Sequence, residues 1–479
     1  MSKVKKRILC DYETSGTNHL FDQPLSFCAK VFDENGQEID SIKTNCRMEK
    51  SRLPSPIALS INQYPLQNLL QAQSLRDMMV EINLFFTKHT PATIIAHNAS
   101  FDFNFSHSHY FQSLVTDDWY QWKHNNHLIC SLELLRAIYL FREKLDSIKI
   151  PSSRFGFPLF GLEAVSQENG IFYQSHEAEG DVNSLKDLYG LMINEAPEIV
   201  LLAQSCANKN EAKRIINDSM FFCASVGTGP YFKARTLVPL ALNKRGNAVI
   251  CVDISKVNSH QLNTLTPWDI YLQWKNSNGK DRCIFMIPLN KGKLFFTPEY
   301  YKFCIDSDFD ISRQELFDRA KQIRKNQYIK RAAHDAWTHI ENIYGIGDGR
   351  LESSIYADGF CTPAEHNFIY QFNNTEWKDK WGLVEANKAL ASNSRIIRLS
   401  KKIIFEQDQS LIPNHLIYDY RNHLHNKLFN LEADIDVPYM NLPMVLKELE
   451  DLKSDASQQE KVKELKDYFE HISQGLVHA

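Results

Sequence analysis

The chain has 479 residues, 43% of them hydrophobic, with a formal net charge of −4. That length and apolar content predict roughly three folded domains and exclude a disordered protein. The charge excludes general electrostatic attraction to nucleic acid, so a polyanionic partner would need a local basic channel.

Ten cysteines are scattered without a Cys-x-x-Cys pair. This predicts reduced, mostly buried thiols and neither a zinc site nor a disulfide framework. The basic start at residues 1–7 leads into an apolar run too short for a signal peptide, and no run of about 18 apolar residues follows. The expectation is a cytoplasmic protein without membrane contact.

Residues 7–14 predict a short strand ending in Asp11 and Glu13, whose i, i+2 spacing puts both carboxylates on one face. Two adjacent anions at the end of a buried strand need a cation between them, and hard oxygen ligands suit Mg²⁺ or Mn²⁺. Residues 25–32 alternate as a second strand, and Asn35-Gly36 turns it into a third that runs to about Cys46. Apolar spacing predicts an amphipathic helix over 66–86. A buried strand at 92–96 leads to Ser100 as N-cap and Asp102 in the first turn of a helix. Further helices are expected over 130–141, over 161–169 with Gly170 closing it, and within 176–194 before Pro197.

From about residue 217 the texture changes to short strands at 221–226, 236–242, 248–254 and 283–287, with a hairpin turn at 243–247. These predict a small β-barrel or sandwich. Residues 312–344 read as one helix, residues 345–349 as a glycine-rich linker, and the remainder as mostly helical, ending in 446–472. The fold class is α/β followed by a barrel and a helical region.

Four carboxylates stand out in the first 200 residues: Asp11, Glu13, Asp102 and Asp181, with His176 five residues before the last. Five helical steps separate two side chains by about 140°, so His176 can meet Asp181 only from the loop or first turn. In chemical terms the carboxylates would hold two divalent ions around a phosphate, and His176 is the general base for the attacking water. His107, His109, His124 and His127 lack cysteine partners at zinc spacing and read as exposed helix and loop residues.

Asp-x-Glu, Asn-x-x-Phe-Asp and His-x4-Asp, in that order, resemble the three motifs of the DEDDh 3′→5′ exonucleases, whose fold is ribonuclease H-like. The likeness extends to the bacterial exonuclease I family through Asp11-Tyr12-Glu13-Thr14, Asn169-Gly170-Ile171 and Asp181-Val182. Val238-Pro239-Leu240-Ala241, Asn247-Ala248-Val249-Ile250, Asn290-Lys291 and Ile355-Tyr356-Ala357-Asp358-Gly359-Phe360 carry it through the rest of the chain. The resemblance implies an exonuclease domain at 1–200, an SH3-like barrel at 201–349 and a helical C-terminal domain at 350–479. It further implies a monomer that degrades single-stranded DNA in repair and recombination, with single-strand-binding protein as a partner. Glu13, Thr14 and Gly161 fall at substrate-binding positions of the family.

Three departures concern substrate grip. Ser15 stands where the family usually has an aromatic, Gly161 where it has an arginine, and Asp419-Tyr420-Arg421-Asn422-His423 where it has Arg-Tyr-Arg-Ala-Arg. A basic strip of Lys321, Arg324 and Lys325 with Tyr328 on one helical face offers phosphate contacts and base stacking. Trp119, Tyr120 and Trp122 offer further stacking. The alternatives are an exoribonuclease or proofreading exonuclease of the same superfamily, and a single-strand DNA-binding scaffold with a vestigial nuclease centre. The barrel and helical regions argue against the first, and the intact set of five site residues against the second.

Overall fold

A computed structural model describes residues 6–62, 64–116, 125–173, 177–227, 232–257, 259–276, 282–305, 311–344, 349–357, 361–387 and 394–478. Its first layer is a five-stranded sheet of order β3-β2-β1-β4-β5. Strand β1 (Lys6–Thr14) pairs antiparallel with β2 (Pro24–Phe32) and parallel with β4 (Ala92–Ala96); β2 pairs with β3 (Glu38–Asn45), and β4 with β5 (His127–Cys130). The β2–β3 turn uses Gly36 at φ +83, while Asp33 Oδ1 accepts the N–H groups of Asn35 and Gln37. Asn-Gly turn chemistry therefore sets the hairpin as expected.

Period-two alternation divides β1 between two cores. Ile8, Cys10 and Tyr12 face α3 (Leu75–His89) and α4 (Ser100–Gln112), meeting Met78, Ile82, Phe86 and Phe103. Leu9 faces the other way, toward Val182, Leu185 and Leu188 of α7 (Ala178–Glu195) and Leu134 and Ile138 of α5 (Ser131–Phe141). Asp11 and Glu13 continue the Leu9 face, so the same alternation aims both carboxylates at the α7 side.

The expected helix over 66–86 is two, α2 (Leu66–Gln71) and α3, because the Ser74 side chain caps Asp77 N–H and starts a new helix. The helix expected from Cys130 begins one residue later, since 127–130 is the edge strand β5. Pro197 ends α7 and also opens α8 (Pro197–Cys206) at its first turn, where its missing N–H costs nothing.

The second layer is an antiparallel sheet, β6 (Phe222–Val226), β7 (Lys233–Leu242), β8 (Ala248–Asp253) and β9 (Ile284–Pro288), curled into a half-barrel. One face packs on α9 (Lys209–Asp218); the other joins α11 (Pro267–Lys275), α12 (Arg313–Lys325) and α13 (Gln327–Tyr344) in the core that also contains α5 and α7. The single helix expected over 312–344 is broken because Asn326 Oδ1 accepts from Tyr328 and Ile329 N–H and caps α13. Lys321, Arg324 and Lys325 therefore lie on a different helix from Tyr328, which corrects the shared face. The linker residues 345–348 lie outside the described residues.

The C-terminal region is helical, as expected: α15 (Pro363–Asn374), α16 (Lys380–Ala386), α17 (Arg395–Gln407), α18 (Asn414–Leu428), α19 (Leu442–Lys453) and α20 (Gln459–His478), so the stretch 446–472 read as one segment is two helices, parted at 454–458. It does not stand apart. Helix α17 buries Ile396, Leu399 and Ile403 with Phe111 and Leu114 at the end of α4, and α18–α20 cover Leu25, Met48, Leu53 and Leu59. All ten cysteines are free and nine are buried. No described helix is long and apolar enough to cross a membrane.

Candidate active site

The carboxyl ends of parallel β1 and β4 open beside the N-termini of α4 and α7, the place where open α/β sheets build sites. Asp11 and Glu13 end β1, and a register shift between Glu13 and Thr14 bends the chain away just after them. Asp181 lies in the first turn of α7, and Asp102 in the first turn of α4. Both positions favour a negative charge through the helix dipole. Ser100 is the first helical residue and not the cap, which is Ala99.

Asp11, Glu13 and Asp181 each place a carboxylate oxygen within 4.8 Å of the others, the one His, Cys, Asp or Glu group with metal-ligand spacing among the described residues. Asp102 stands just outside that group, 1% exposed, with Oδ2 buried and unpartnered. Burial raises Asp11 well above the usual carboxylate range, with Asp102, Glu13 and Asp181 adding repulsion. Burial pushes Glu13 up to about 8, reinforced by Asp181 and Asp102. Asp102 is pushed up to about 7 by burial, against hydrogen bonds from the Tyr12 and Asp102 backbone, with Asp181 adding repulsion. Four acids that disfavour one another's charge, one with an orphaned oxygen, form an all-oxygen donor set that fits hard divalent cations.

His176 lies outside the described residues, as do His124, Trp119, Tyr120 and Trp122. Thr14 is fixed by its hydroxyl, which donates to Gly16 O (2.7 Å), and by its carbonyl, which accepts from Asn62 Nδ2 (3.0 Å). Ser15 is fully buried: it exchanges hydrogen bonds with Gln23 through N–H and hydroxyl, and its carbonyl accepts from Ser55. An aromatic has no room there. Gly161 is the exposed N-cap of α6 (Leu162–Glu168), where an added Cβ would meet nothing within 4 Å.

Two sequence readings need correction. His107 and His109 are buried and His127 is half-buried on β5; His109 Nε2 donates to Asp22 O (2.9 Å), and burial holds its ring well below the usual histidine range. His109 is held by the loop after β1, a contact that no local pattern encodes. Arg324 is not a free phosphate contact. Its guanidinium donates to the carbonyls of Ile216, Ser219 and Met220 and closes the end of α9. Lys321, Lys325 and Tyr328 remain exposed.

The sequence alone does not single out His97. Its Nε2 donates to Phe160 O (2.9 Å) and its Nδ1 accepts from Ser131 Oγ (2.8 Å), while burial lowers its pKa to about 4. This neutral imidazole ties the β4–α4 loop, which delivers Asp102, to the segment that delivers Gly161. Its place directly after β4 was the one signal for it. Nearby, Glu133 of α5 accepts from Lys293 (2.5 Å) of the half-barrel and from Arg136 (3.1 Å), joining the two layers behind the site.

Residues 8–188 match the Exonuclease family RNase_T. The chain is 25% identical over 262 residues to exodeoxyribonuclease I of Buchnera aphidicola subsp. Schizaphis graminum, covering 51% of this chain and 52% of that protein. It thus spans about half the length of this curated relative. The structure of Escherichia coli exonuclease I with a dT13 oligonucleotide superposes with a TM-score of 0.81 at 20% identity, covering 98% of this chain and 100% of that one. That of an SSB/exonuclease I complex with the inhibitor CFAM gives 0.78 at 19% identity, covering 99% and 100%. The fold is that of exonuclease I.

Proposed function

We propose, from a chain with the exonuclease I fold and an exonuclease-family first layer, that this protein is a Mg²⁺-dependent 3′→5′ exonuclease. Its substrate would be single-stranded DNA and its products 5′-mononucleotides. The observation that carries the reading is the convergence of Asp11, Glu13 and Asp181 within 4.8 Å, with buried Asp102 beside them.

In this reading Asp11, Glu13, Asp102 and Asp181 hold two Mg²⁺ ions, with Mn²⁺ as a substitute. When bound, the ions supply Lewis-acid polarisation of the scissile phosphate and acidify the attacking water. Asp102 and Asp181 keep the ion side of the pocket fixed through their helix starts, and Thr14, just past the register shift after Glu13, is the position the resemblance gives to the terminal nucleotide. His176, five residues ahead of Asp181, takes the water's proton as general base.

Support for a single-stranded substrate comes from the C-terminal region. A cleft of about 920 Å³ is lined by Arg350, Arg398, Lys401, Trp381, Tyr420 and Tyr439 among others. Cations interleaved with aromatics suit a flexible strand better than a rigid duplex. The oligonucleotide and single-strand-binding-protein complexes of the solved relatives motivate the same partners here, and with them a role in DNA repair.

The deciding experiment incubates purified protein with 3′- and 5′-labelled DNA and RNA oligonucleotides, with and without Mg²⁺. Stepwise mononucleotide release from the 3′ end of DNA, abolished by EDTA, is expected. Release from RNA alone, or from 5′ ends, would replace the reading. His176→Ala is expected to lower the rate by roughly 10²–10⁴. A parental rate across the pH range would remove His176 as the base.

A further inference from the structure

Residues 151–160 form a tight hairpin directly before Gly161. Ser152 bridges Pro158, Leu159 N–H donates to Pro151 O (2.8 Å), and Ser153 N–H donates to Phe157 O (2.7 Å). The Ser153 hydroxyl accepts the N–H groups of Phe155 and Phe157, and Gly156 supplies the left-handed tip at φ +78. The base is anchored where the site begins. Phe160 is buried against Tyr139, Phe232 and Arg136, and its carbonyl holds His97.

This fixed backbone holds its apolar side chains in water. Phe155 is 69% exposed, Phe157 and Leu159 are each 40% exposed, and the Arg154 guanidinium covers one side of the Phe155 ring at 4.7 Å. Phe172, whose carbonyl accepts from Ser184 one turn beyond Asp181, is 82% exposed. Large apolar residues clustered at a rigid tip mark a contact surface more than stray exposure. No acidic residue occurs between Ser147 and Leu162, whereas Lys149 and Arg154 do.

We infer that the hairpin tip, Arg154-Phe155-Gly156-Phe157, is a base-stacking platform for single-stranded DNA leaving the catalytic carboxylates. This rests on the exonuclease reading above and adds where the strand goes next. Through the Phe160 carbonyl the hairpin is tied to His97 and so to the loop that delivers Asp102; a strand leaving the carboxylates on that side meets positive charge and open rings. Stacking needs a π-face and no particular base, so the platform is indifferent to sequence. Arg154 backs Phe155 from one side and leaves the other for a base, with its charge free to meet the neighbouring phosphate.

The test uses the Phe155→Ser/Phe157→Ser variant alone and in an Asp181→Asn background that binds without cleaving. The probes are oligothymidylates of about twenty nucleotides, each with one 2-aminopurine at a successive position from the 3′ end. In the Asp181→Asn protein, quenching is expected at one or two adjacent positions and is absent in the combined variant. The KM for the long oligonucleotide, relative to a dinucleotide, should rise roughly 5- to 100-fold, the effect of removing one base stack. Phe155→Trp should keep both the quenching and the KM ratio. Unchanged quenching and an unchanged ratio overturn the platform. So does an outcome in which the double variant keeps DNA binding but no longer binds an acidic, apolar peptide, which would make the tip a protein-docking surface. Failure of the parent to cleave any DNA sinks the exonuclease reading, whereas position-specific quenching reports on the hairpin independently.

Discussion

Asp102 is a buried carboxylate that weakens the fold and, on the proposed function, is required by the chemistry. Its folded pKa of about 7 lies above the ordinary value near 4, so between those values the folded chain binds more protons than the unfolded one. The slope of stability against pH is then negative: metal-free protein loses stability as pH rises through that window. Glu13, pushed up to about 8 by burial, extends the loss upward. Asp102→Asn should therefore raise the metal-free melting temperature by several degrees at pH 8 and hardly at all at pH 4. It should also remove most of the stabilisation by Mg²⁺ and abolish turnover. Thermal melts in EDTA and in Mg²⁺ across that range check this; a variant destabilised equally at both pH values would make Asp102 a structural acid. The grouping of Asp11, Glu13 and Asp181 was legible in the sequence because the i, i+2 spacing of a strand and the first turn of a helix are set locally. His97, His109 and Arg324 could not be read in the same way. Each is defined by a carbonyl 63, 87 or over 100 residues away, a pairing that only packing creates.

At the scale of elements, periodicity carried far where the run was long and failed where a single polar side chain intervened. Ser74 and Asn326 each divide an apolar pattern that reads as one helix, and β5 is too short, at four residues, to show alternation. The join between α5 and the half-barrel was equally silent, since Glu133 and Lys293 are 160 residues apart. Glu133 sits between Lys293 and Arg136 with all three side chains 11–19% exposed. Gly292 at φ +70 packs against Cys130, where a Cβ would come within 2.6 Å of Cys130 Cβ. Removing the shared anion leaves two part-buried cations facing each other, so Glu133→Ala should cost up to roughly 3–5 kcal/mol. A double-mutant cycle with Lys293→Ala, read by urea melts, should give a coupling above about 0.5 kcal/mol. Independent effects would reduce this pair to surface complementarity.

Across the whole molecule, helix α17 connects the basic cleft to the loop that follows β1. Arg398 and Lys401 line the cleft, Lys401 lies over Trp381 at 5.8 Å, and Lys402 beside it bonds Glu49 at 2.8 Å. Glu406 then accepts the N–H groups of Lys50 and Ser51, while Arg52 holds Glu49 and donates to Asp22 O (2.5 Å) in the loop that follows Glu13. One helix thus lines the basic cleft at one side and fixes the loop behind Asp11 and Glu13 at the other. On the proposed function, two basic surfaces compete for the far end of the DNA strand, this cleft and the exposed Lys321 and Lys325 of α12. Removing one cation that neutralises a phosphate lowers the slope of log K against log salt by about 0.7 for single strands. Arg398→Ala/Lys401→Ala should therefore reduce the slope by about 1.4, twice that single-cation value, with dinucleotide cleavage nearly as in the parent. Lys321→Ala/Lys325→Ala should change it less, because Arg324 between them is committed to closing α9 and leaves that face with no third cation. The reverse ranking would place the strand along α12 and assign the C-terminal cleft to some other ligand.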